Sequence, residues 1–191
     1  MKTRKEWYEA GNNRPCYPYL CVASSQNTYS IYGSCADGIQ VNPYRLQWSN
    51  SKERFIEEET HYFRWGREVA RPKPWFWIPE VFTIKGQRMI EGPELRELFL
   101  AALGHGLKGI RYYIHGSGSG WSGYEKSPSL VAEMKKINAD IKKIEPILSA
   151  SLFVSTQTIG DFGKGCRQYN LWSGDEGVLV ILRNLDYTTD R

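Results

Sequence analysis

Long apolar runs are missing from this chain of 191 residues. No stretch reaches the roughly 18 consecutive apolar residues that indicate a membrane-spanning helix, so we expect no membrane partner. The amino terminus, MKTRKEWYEAGNNRP, is basic but has no apolar segment behind it, and it therefore does not read as a secretory signal peptide. The compartment stays open: extracellular or periplasmic if a signal peptide precedes residue 1, cytoplasmic otherwise.

Cysteine and histidine are also scarce. The four cysteines (Cys16, Cys21, Cys35 and Cys166) form no CxxC pair, and the three histidines do not cluster with them, so we expect no zinc site. Most of the cysteines fall in strand-like apolar stretches, where a free cysteine is a common small core residue. The chain also lacks the motifs GK[ST], GxGxxG, GxSxG and HExxH. We therefore expect no metal and no organic cofactor.

Charge of one sign is not concentrated in any long run. The net charge of +4 arises from 25 basic and 21 acidic residues spread along the chain. The densest basic group consists of Lys135, Lys136, Lys142 and Lys143. It fits the solvated face of a helix and lacks the aromatic or groove-reading context of a nucleic-acid site, so we expect no nucleic-acid partner.

What the chain does contain is a series of alternating strand and helix patterns. The strand-like stretches are residues 16–24, 35–44, 75–79 and 109–114. The helix patterns cover residues 3–12, residues 51–70 with Ser51 as N-cap, and residues 93–104 with Pro93 in the first turn and Gly104 and Gly106 at the end. A further helix opens at Ser127 and Pro128, and its regular apolar pattern ends at Pro146. Residues 26–34 read as a loop or a short helix. After residue 151 the pattern changes to short antiparallel strands, with a hairpin connection at residues 173–177.

Repeated strand–helix units predict an α/β fold with a parallel sheet. A complete (β/α)8 barrel needs roughly 250 residues, so four units in about 150 residues amount to half of one. The continuous apolar run WFWIP at residues 75–79 suits a strand that is covered on both faces.

Two segments carry a resemblance to a known family. GPELRELFLAALGHGLKGIRYY and the helix ending in INADIKKIEPIL resemble the final two units of barrel glycoside hydrolases related to bacterial β-galactosidases and their uncharacterised relatives. Asn13-Arg14-Pro15 is similar to the turn before their fifth strand, and DGIQVNPY to their sixth strand. The resemblance implies the carboxyl-terminal half of a TIM barrel (strands five to eight) over residues 1–150 and the start of an antiparallel β-sandwich over residues 151–191.

The same resemblance implies that the chain is a carboxyl-terminal fragment or a gene product that lacks its first half. Half a barrel would leave sheet edges open, so we expect self-association through them. The implied activity is hydrolysis of O-glycosidic bonds in an oligo- or polysaccharide, with a carbohydrate as partner. The alternative is a non-catalytic carbohydrate-binding protein or a structural barrel remnant.

Glu80 is the candidate catalytic residue. It follows the strand WFWIP directly, and in the family that the chain resembles the nucleophile is a glutamate that ends strand seven. Glycosidases of this kind need two carboxyl groups, and the resemblance puts the acid/base on strand four, before residue 1. The alternative for Glu80 is a loop acid that is hydrogen-bonded to the barrel rim.

Five further residues are candidates for sugar binding: Asn42, Tyr44, Tyr113, His115 and Trp121. Asn42 and Tyr44 end the second predicted strand, although Asn-Pro-Tyr is also an ordinary turn. Tyr113 and His115 end the fourth strand, where a histidine is also commonly bonded only to its own loop. Trp121 lies in the loop GSGSGWSGY, where it either stacks on a sugar ring or folds back over the barrel. Asp37 is predicted to be structural, paired with a lysine or arginine.

Overall fold

The computed structural model describes residues 4–11, 14–21, 25–46, 49, 51–84, 87–161 and 164–185. The helices are α1 (Arg4–Glu9), α2 (Gln26–Cys35), α3 (Lys52–Ala70), α4 (Gly92–Gly104) and α5 (Pro128–Ala150). The strands are β1 (Tyr19–Cys21), β2 (Ile39–Asn42), β3 (Trp75–Trp77), β4 (Phe82–Ile84), β5 (Gly109–Ile110), β6 (Trp121–Gly123), β7 (Ser151–Asp161), β8 (Lys164–Gly174) and β9 (Gly177–Asn184). The fold is mixed α/β, with one parallel sheet and two antiparallel ones.

The parallel sheet keeps the order of the chain. Its strands pair as β1–β2–β3–β5, and α2, α3 and α4 lie in the connections between successive members. Trp75 and Trp77 of β3 are buried and pack on Phe63 of α3, with ring centroids 5.7 and 5.3 Å apart. The parallel sheet and the alternation of strand and helix are therefore confirmed.

Helix starts follow the predicted chemistry. The Ser51 side chain accepts a hydrogen bond from the Arg54 amide at 3.2 Å, which confirms Ser51 as the N-cap of α3. At the start of α4, the buried Glu94 carboxylate accepts from the Glu91 amide at 2.9 Å and from both terminal nitrogens of Arg88. That carboxylate satisfies the amide of the N-cap residue Glu91, which has no partner within the helix, and forms an ion pair with Arg88 outside the helix.

The helix α5 continues to Ala150, past Pro146, where its regular apolar pattern ends. A proline inside a helix removes one backbone hydrogen bond, but contacts from elsewhere hold the last turn in place. Lys108 Nζ donates to the carbonyls of Leu148 at 2.6 Å and Ser151 at 3.0 Å. These bonds satisfy carbonyl groups at the carboxyl end of α5, which have no partner within the helix.

The three-stranded sheet β7–β8–β9 is attached to the end of α4. Trp172 Nε1 donates to the Leu103 carbonyl at 2.9 Å, and Thr156 Oγ1 donates to the Gly104 carbonyl at 3.0 Å. A side chain at position 104 would lie 2.5 Å from the Asn170 amide group, so only glycine fits at the end of this helix. The carbonyl groups that a helix leaves unpaired at its end are here satisfied by the antiparallel sheet.

Several boundaries differ from the predictions. Residues 26–35 form a helix, with the Ser25 side chain accepting from the Thr28 amide, so the predicted strand 35–44 shortens to Ile39–Asn42. The strand predicted at 109–114 shortens to Gly109–Ile110. The strand predicted at 16–24 is described as Tyr19–Cys21, and residues 22–24 lie outside the described ranges. The hairpin at residues 173–177 is confirmed, with Asp175 and Glu176 between β8 and β9.

The prediction that cysteines are core residues was wrong for the three whose side chains are described. Cys16, Cys21 and Cys35 are free thiols and exposed, because Cys16 precedes β1, Cys21 lies at its end and Cys35 ends α2. Asp37 lies just before β2, and its Oδ2 accepts from the Cys16 amide at 2.9 Å. This bond joins the segments that enter β1 and β2. None of the helices in the described ranges has the length and apolarity of a membrane span.

Candidate functional site

The carboxyl ends of three neighbouring parallel strands bring predicted site residues together. Asn42 ends β2, Glu80 follows β3, and Tyr113 follows β5. Glu80 and Tyr113 form a parallel bridge, and the Val81 amide donates to the Tyr113 carbonyl at 3.1 Å. In sheets of this type the carboxyl edge is where binding and catalytic groups are usually found.

Four aromatic side chains, which we call the aromatic rim, are in contact near this edge: Tyr44, Phe82 and Tyr113, together with Tyr19, which begins β1 and reaches Tyr44 through its hydroxyl. The rings of Tyr44 and Tyr113 are nearly parallel at 6.3 Å, and Phe82 meets both edge-on, 5.3 Å from Tyr44 and 5.8 Å from Tyr113. Tyr19 and Tyr113 are 46% and 38% exposed, so the rim presents ring surface to solvent.

Tyr44 is held in an unusual position. Its φ of +48° lies in the left-handed region, which a bulky residue seldom adopts. Its hydroxyl lies 2.9 Å from that of Tyr19, and burial, followed by this contact, raises the pKa of Tyr44 above its ordinary value. The strained backbone and the hydroxyl pair together fix the direction of the Tyr44 ring at the rim.

Asn42 supplies a buried polar group at the same edge. The side chain is 1% exposed, and its Oδ1 accepts no hydrogen bond from the part of the chain that the structure describes. Its interaction with the Tyr44 hydroxyl favours the phenolate and so opposes the effect of burial on the Tyr44 pKa. A buried acceptor of this kind is able to bind a hydroxyl or amide donor.

Glu80 has a carboxyl neighbour that the sequence reasoning missed. Glu59 of α3 and Glu80 are 2% and 4% exposed, and the charge of Glu80 acts on Glu59. Burial raises the pKa of Glu59 to about 8, Glu80 adds to the rise, and the amide and charge of Arg45 oppose it. Glu59 accepts from the Arg45 amide at 2.9 Å, whereas the Trp77 indole N–H lies near it outside hydrogen-bonding geometry.

At neutral pH Glu59 is therefore a protonated acid close to Glu80. A signal for it exists in the sequence: Glu59 follows Ile56 by three residues and precedes Phe63 by four, which places it on the apolar stripe of α3. An acid at such a position points to a buried carboxyl. Within the described ranges, no three His, Cys, Asp or Glu side chains converge as metal ligands would.

His115 and Trp121 lie away from this group. The His115 ring is exposed and packs on Tyr124 at 5.5 Å. Trp121 belongs to β6, whose antiparallel pairing with β4 sets Gly123 opposite Phe82 and Trp121 opposite Ile84, two residues further from Glu80. Its indole covers Gly118, so the ring folds back on its own loop.

The loop that carries His115 and Trp121 is closed by Glu125. The carboxylate of Glu125 accepts from the Ser117 hydroxyl and from the Gly116 amide, the latter at 2.8 Å. These bonds, the Ser117 hydroxyl first, hold the pKa of Glu125 below its ordinary value. The sequence gives no signal for this closure, because it joins residues across a loop without a periodic pattern.

The chain matches no family model, no curated protein and no solved structure. The chemistry of the site is therefore inferred from its own geometry. Exposed tyrosine rings can stack on the apolar face of a sugar, Asn42 can accept a hydroxyl hydrogen, and Glu80 provides a carboxyl group beside them.

Proposed function

We propose that this chain forms the carboxyl-terminal half of a (β/α)8 barrel in a glycoside hydrolase-like protein. Support comes from four parallel strands that pair in chain order, from the helices α2, α3 and α4 between them, and from the antiparallel sheet that follows α5. In this proposal β1, β2, β3 and β5 are strands five to eight. The outer strands β1 and β5 would then join the other half of the barrel, or associate with other copies through their open edges.

The observation that carries the proposal is the position of Glu80. It follows β3 at the carboxyl edge of the sheet and is bridged to Tyr113 within the aromatic rim. In a retaining reaction its carboxylate would attack the anomeric carbon as the bond to the leaving oxygen breaks, and that oxygen would take a proton from the acid/base. Water would then release the sugar and regenerate the carboxylate. The acid/base would belong to strand four of the other half-barrel.

The rim residues would bind the sugar. Tyr44 and Tyr113 would offer their ring faces to a pyranose, and Asn42 would accept a hydrogen bond from one of its hydroxyls. His115 and Trp121 lie farther out, so they would contact sugar units beyond the one at Glu80. Stacking on tyrosine rings does not require a charged ligand, which suits a neutral oligosaccharide.

A second candidate is a protein that binds carbohydrate without cleaving it. The burial of Glu80, which is 4% exposed, favours this reading, because a nucleophile has to reach its substrate. The protonated Glu59 beside it also fits a pair of carboxyl groups that serves packing. In that case the exposed rings of Tyr19 and Tyr113 would provide the binding and Glu80 would only shape the edge.

The two candidates are separated by replacing Glu80 with glutamine, which keeps its size and removes its charge. In the protein that carries the complete barrel, we expect E80Q to lower kcat for an aryl glycoside by at least about 1,000-fold while binding persists. The control is Glu57→Gln, an exposed position on α3. Undiminished turnover in E80Q would remove Glu80 as the nucleophile. Binding with no turnover in the unsubstituted protein would favour the second candidate.

A further inference from the structure

The turn after β2 holds Tyr44 in a conformation that a bulky side chain rarely adopts. Pro43 precedes it, with a φ that the proline ring fixes, and Tyr44 itself has a φ of +48°. A residue of this kind stays in the left-handed region only where neighbouring contacts hold the backbone. The direction of the Tyr44 ring, and with it the stacking on Tyr113, therefore depends on what fixes this turn.

The peptide that joins Tyr44 to Arg45 is fixed by one side chain from α3. The Arg45 amide donates to Glu59 Oε1 at 2.9 Å, and the direction of that amide is set by the ψ angle of Tyr44. The Arg45 side chain is held separately, because its Nε donates to Glu58 Oε2 at 2.8 Å. Two consecutive glutamates of α3 thus hold one residue, Glu59 by its backbone and Glu58 by its side chain.

Glu59 is an unusual residue for a position on the apolar stripe of α3. Its side chain is 2% exposed, and burying a carboxyl group is unfavourable unless hydrogen bonds compensate for the lost water. An apolar residue at this position would avoid that cost, but the Arg45 amide would then lose its acceptor. The acceptor is therefore what the buried carboxyl group contributes to this edge of the sheet.

We propose that Glu59 is a positioning residue of the sugar site, and that its hydrogen bond to the Arg45 amide keeps the Tyr44 ring in place beside Tyr113. Glu59 then acts through Tyr44 and does not touch the sugar. This assignment rests on the proposed function for its meaning at a sugar site, whereas the hold on Tyr44 can be measured without any sugar. A failure of one is therefore distinguishable from a failure of the other.

The titratable groups that face Glu59 come from four segments of the fold: Arg45 after β2, Glu80 after β3, Tyr29 of α2 and Tyr62 of α3 itself. Burial, ahead of the charge of Glu59, raises the pKa of both tyrosines, so they stay neutral while Glu59 titrates. Arg45 remains a cation throughout. A change in the Arg45 amide near pH 8 therefore reports the carboxyl group to which it is bonded.

The first measurement follows the Arg45 amide of the ¹⁵N-labelled chain by NMR. Its proton should exchange slowly with solvent, and its chemical shift should titrate with a midpoint of about pH 8, because it is bonded to the Glu59 carboxyl group. The titration should be absent in Glu59→Gln and unchanged in Glu58→Gln, the matched control at the neighbouring position of α3. The proposal is overturned by an Arg45 amide that exchanges as fast as an exposed peptide, or that titrates as before in Glu59→Gln.

The second measurement compares Glu59→Gln with Glu59→Met, because the two side chains have similar length and only glutamine offers a strong acceptor. Nuclear Overhauser contacts between the Tyr44 and Phe82 rings, whose centroids lie 5.3 Å apart, should remain in Glu59→Gln and be lost in Glu59→Met. Contacts that persist in Glu59→Met, or that are lost in both variants, overturn the proposal. Circular dichroism checks that Glu59→Met is folded; if it is not, the Arg45 amide and Glu59→Gln decide the question.

At the sugar site, Glu59→Met should weaken the binding of a neutral oligosaccharide about tenfold, as Tyr44→Ala does, and Glu59→Gln by less than about twofold. In the Tyr44→Ala background Glu59→Met should have no further effect, because residues that act through one another are not additive. A further loss of about tenfold in that background would show that Glu59 does not act through Tyr44, and overturns the proposal. A chain whose ring contacts respond as expected but which binds no oligosaccharide supports the hold on Tyr44 and removes the proposed function alone.

Discussion

Glu59 shows at the scale of one residue how burial changes the chemistry of a side chain. Its carboxyl group is held on the apolar stripe of α3, with the Arg45 amide as hydrogen-bond donor and Glu80 nearby. An ordinary glutamate titrates near pH 4.5, whereas Glu59 does so near pH 8. The cost of burying a charge thus keeps a proton on this side chain at neutral pH.

This residue makes the stability of the protein depend on pH. Below pH 4.5 Glu59 is protonated in both states; between pH 4.5 and 8 it ionises only when unfolded, so the free energy of unfolding falls as pH rises. Glu59→Gln keeps the acceptor for the Arg45 amide and removes the titration. As pH rises from 4.5 to 8, we expect the free energy of unfolding of the variant to exceed that of the unsubstituted protein by an increasing amount, on the order of 3 kcal/mol at pH 8.

Urea unfolding at pH 5 and pH 8 would measure that gain. Glu57→Gln, on the exposed side of the same helix, serves as the control and should show the pH dependence of the unsubstituted protein. A Glu59→Gln variant whose stability runs parallel to the unsubstituted protein at both pH values would show that Glu59 is ionised in the folded state.

Among the elements, the junction between α4 and the antiparallel sheet depends on one indole. Trp172 is fully buried, donates to the Leu103 carbonyl and lies under Lys108 Nζ, 4.8 Å from the ring centroid. Trp172→Phe removes the donor and part of the ring, and we expect a loss of about 1–3 kcal/mol in the free energy of unfolding. Trp121→Phe in the half-buried β6 should cost less than half as much in the same denaturant titration. Equal losses would show that the junction does not depend on the Trp172 bond.

The elements also show which parts of the fold a sequence can predict. The helices α3 and α4 have apolar residues at helical spacing and recognisable caps, so both were predicted nearly in full. The end of α5 and the pairing of β4 with β6 depend on contacts between distant residues, such as Lys108 with Leu148, and no local pattern encodes them. Asn42, Tyr44, Glu80 and Tyr113 meet at one edge of the sheet in the structure, and the sequence could indicate this because the end of a strand is recognisable from local residues. His115 and Trp121 lie away from that edge, because the path of their loop is set by a hydrogen bond to Glu125 that no local pattern indicates.

At the scale of the whole molecule, two buried groups lower the stability, one as pH decreases and the other as pH increases. Burial and the nearby charges of Arg183 and Arg64 lower the pKa of His105 to about 3, against an ordinary value of 6.5. Between pH 6.5 and 3 the unfolded state binds a proton that the folded state refuses, so stability falls as pH decreases. Glu59 has the opposite effect, because it lowers the free energy of unfolding as pH rises from 4.5 to 8.

We therefore expect the melting temperature to be highest and nearly constant between about pH 4.5 and 6.5 and to fall on both sides. His105→Gln should remove the fall of about 2 kcal/mol between pH 4.5 and 3, turn the flat region between pH 4.5 and 6.5 into a decline with rising pH, and leave the decline above pH 6.5 unchanged, which scanning calorimetry across the range would measure. If the melting temperature of His105→Gln fell just as steeply below pH 4.5, groups other than His105 would be responsible for the loss of stability in acid.

The central claim is that the carboxyl edge of the parallel sheet, with Glu80 inside the aromatic rim, is a carbohydrate site. The most direct test is titration of the ¹⁵N-labelled chain with a panel of neutral oligosaccharides, followed by amide chemical shifts. We predict saturable shifts at Asn42, Tyr44, Glu80 and Tyr113, with affinity reduced about tenfold by Tyr113→Ala and unchanged by Tyr124→Ala, whose ring packs on His115. Shifts confined to other surfaces, or equal affinity in the Tyr113→Ala variant, would contradict the claim.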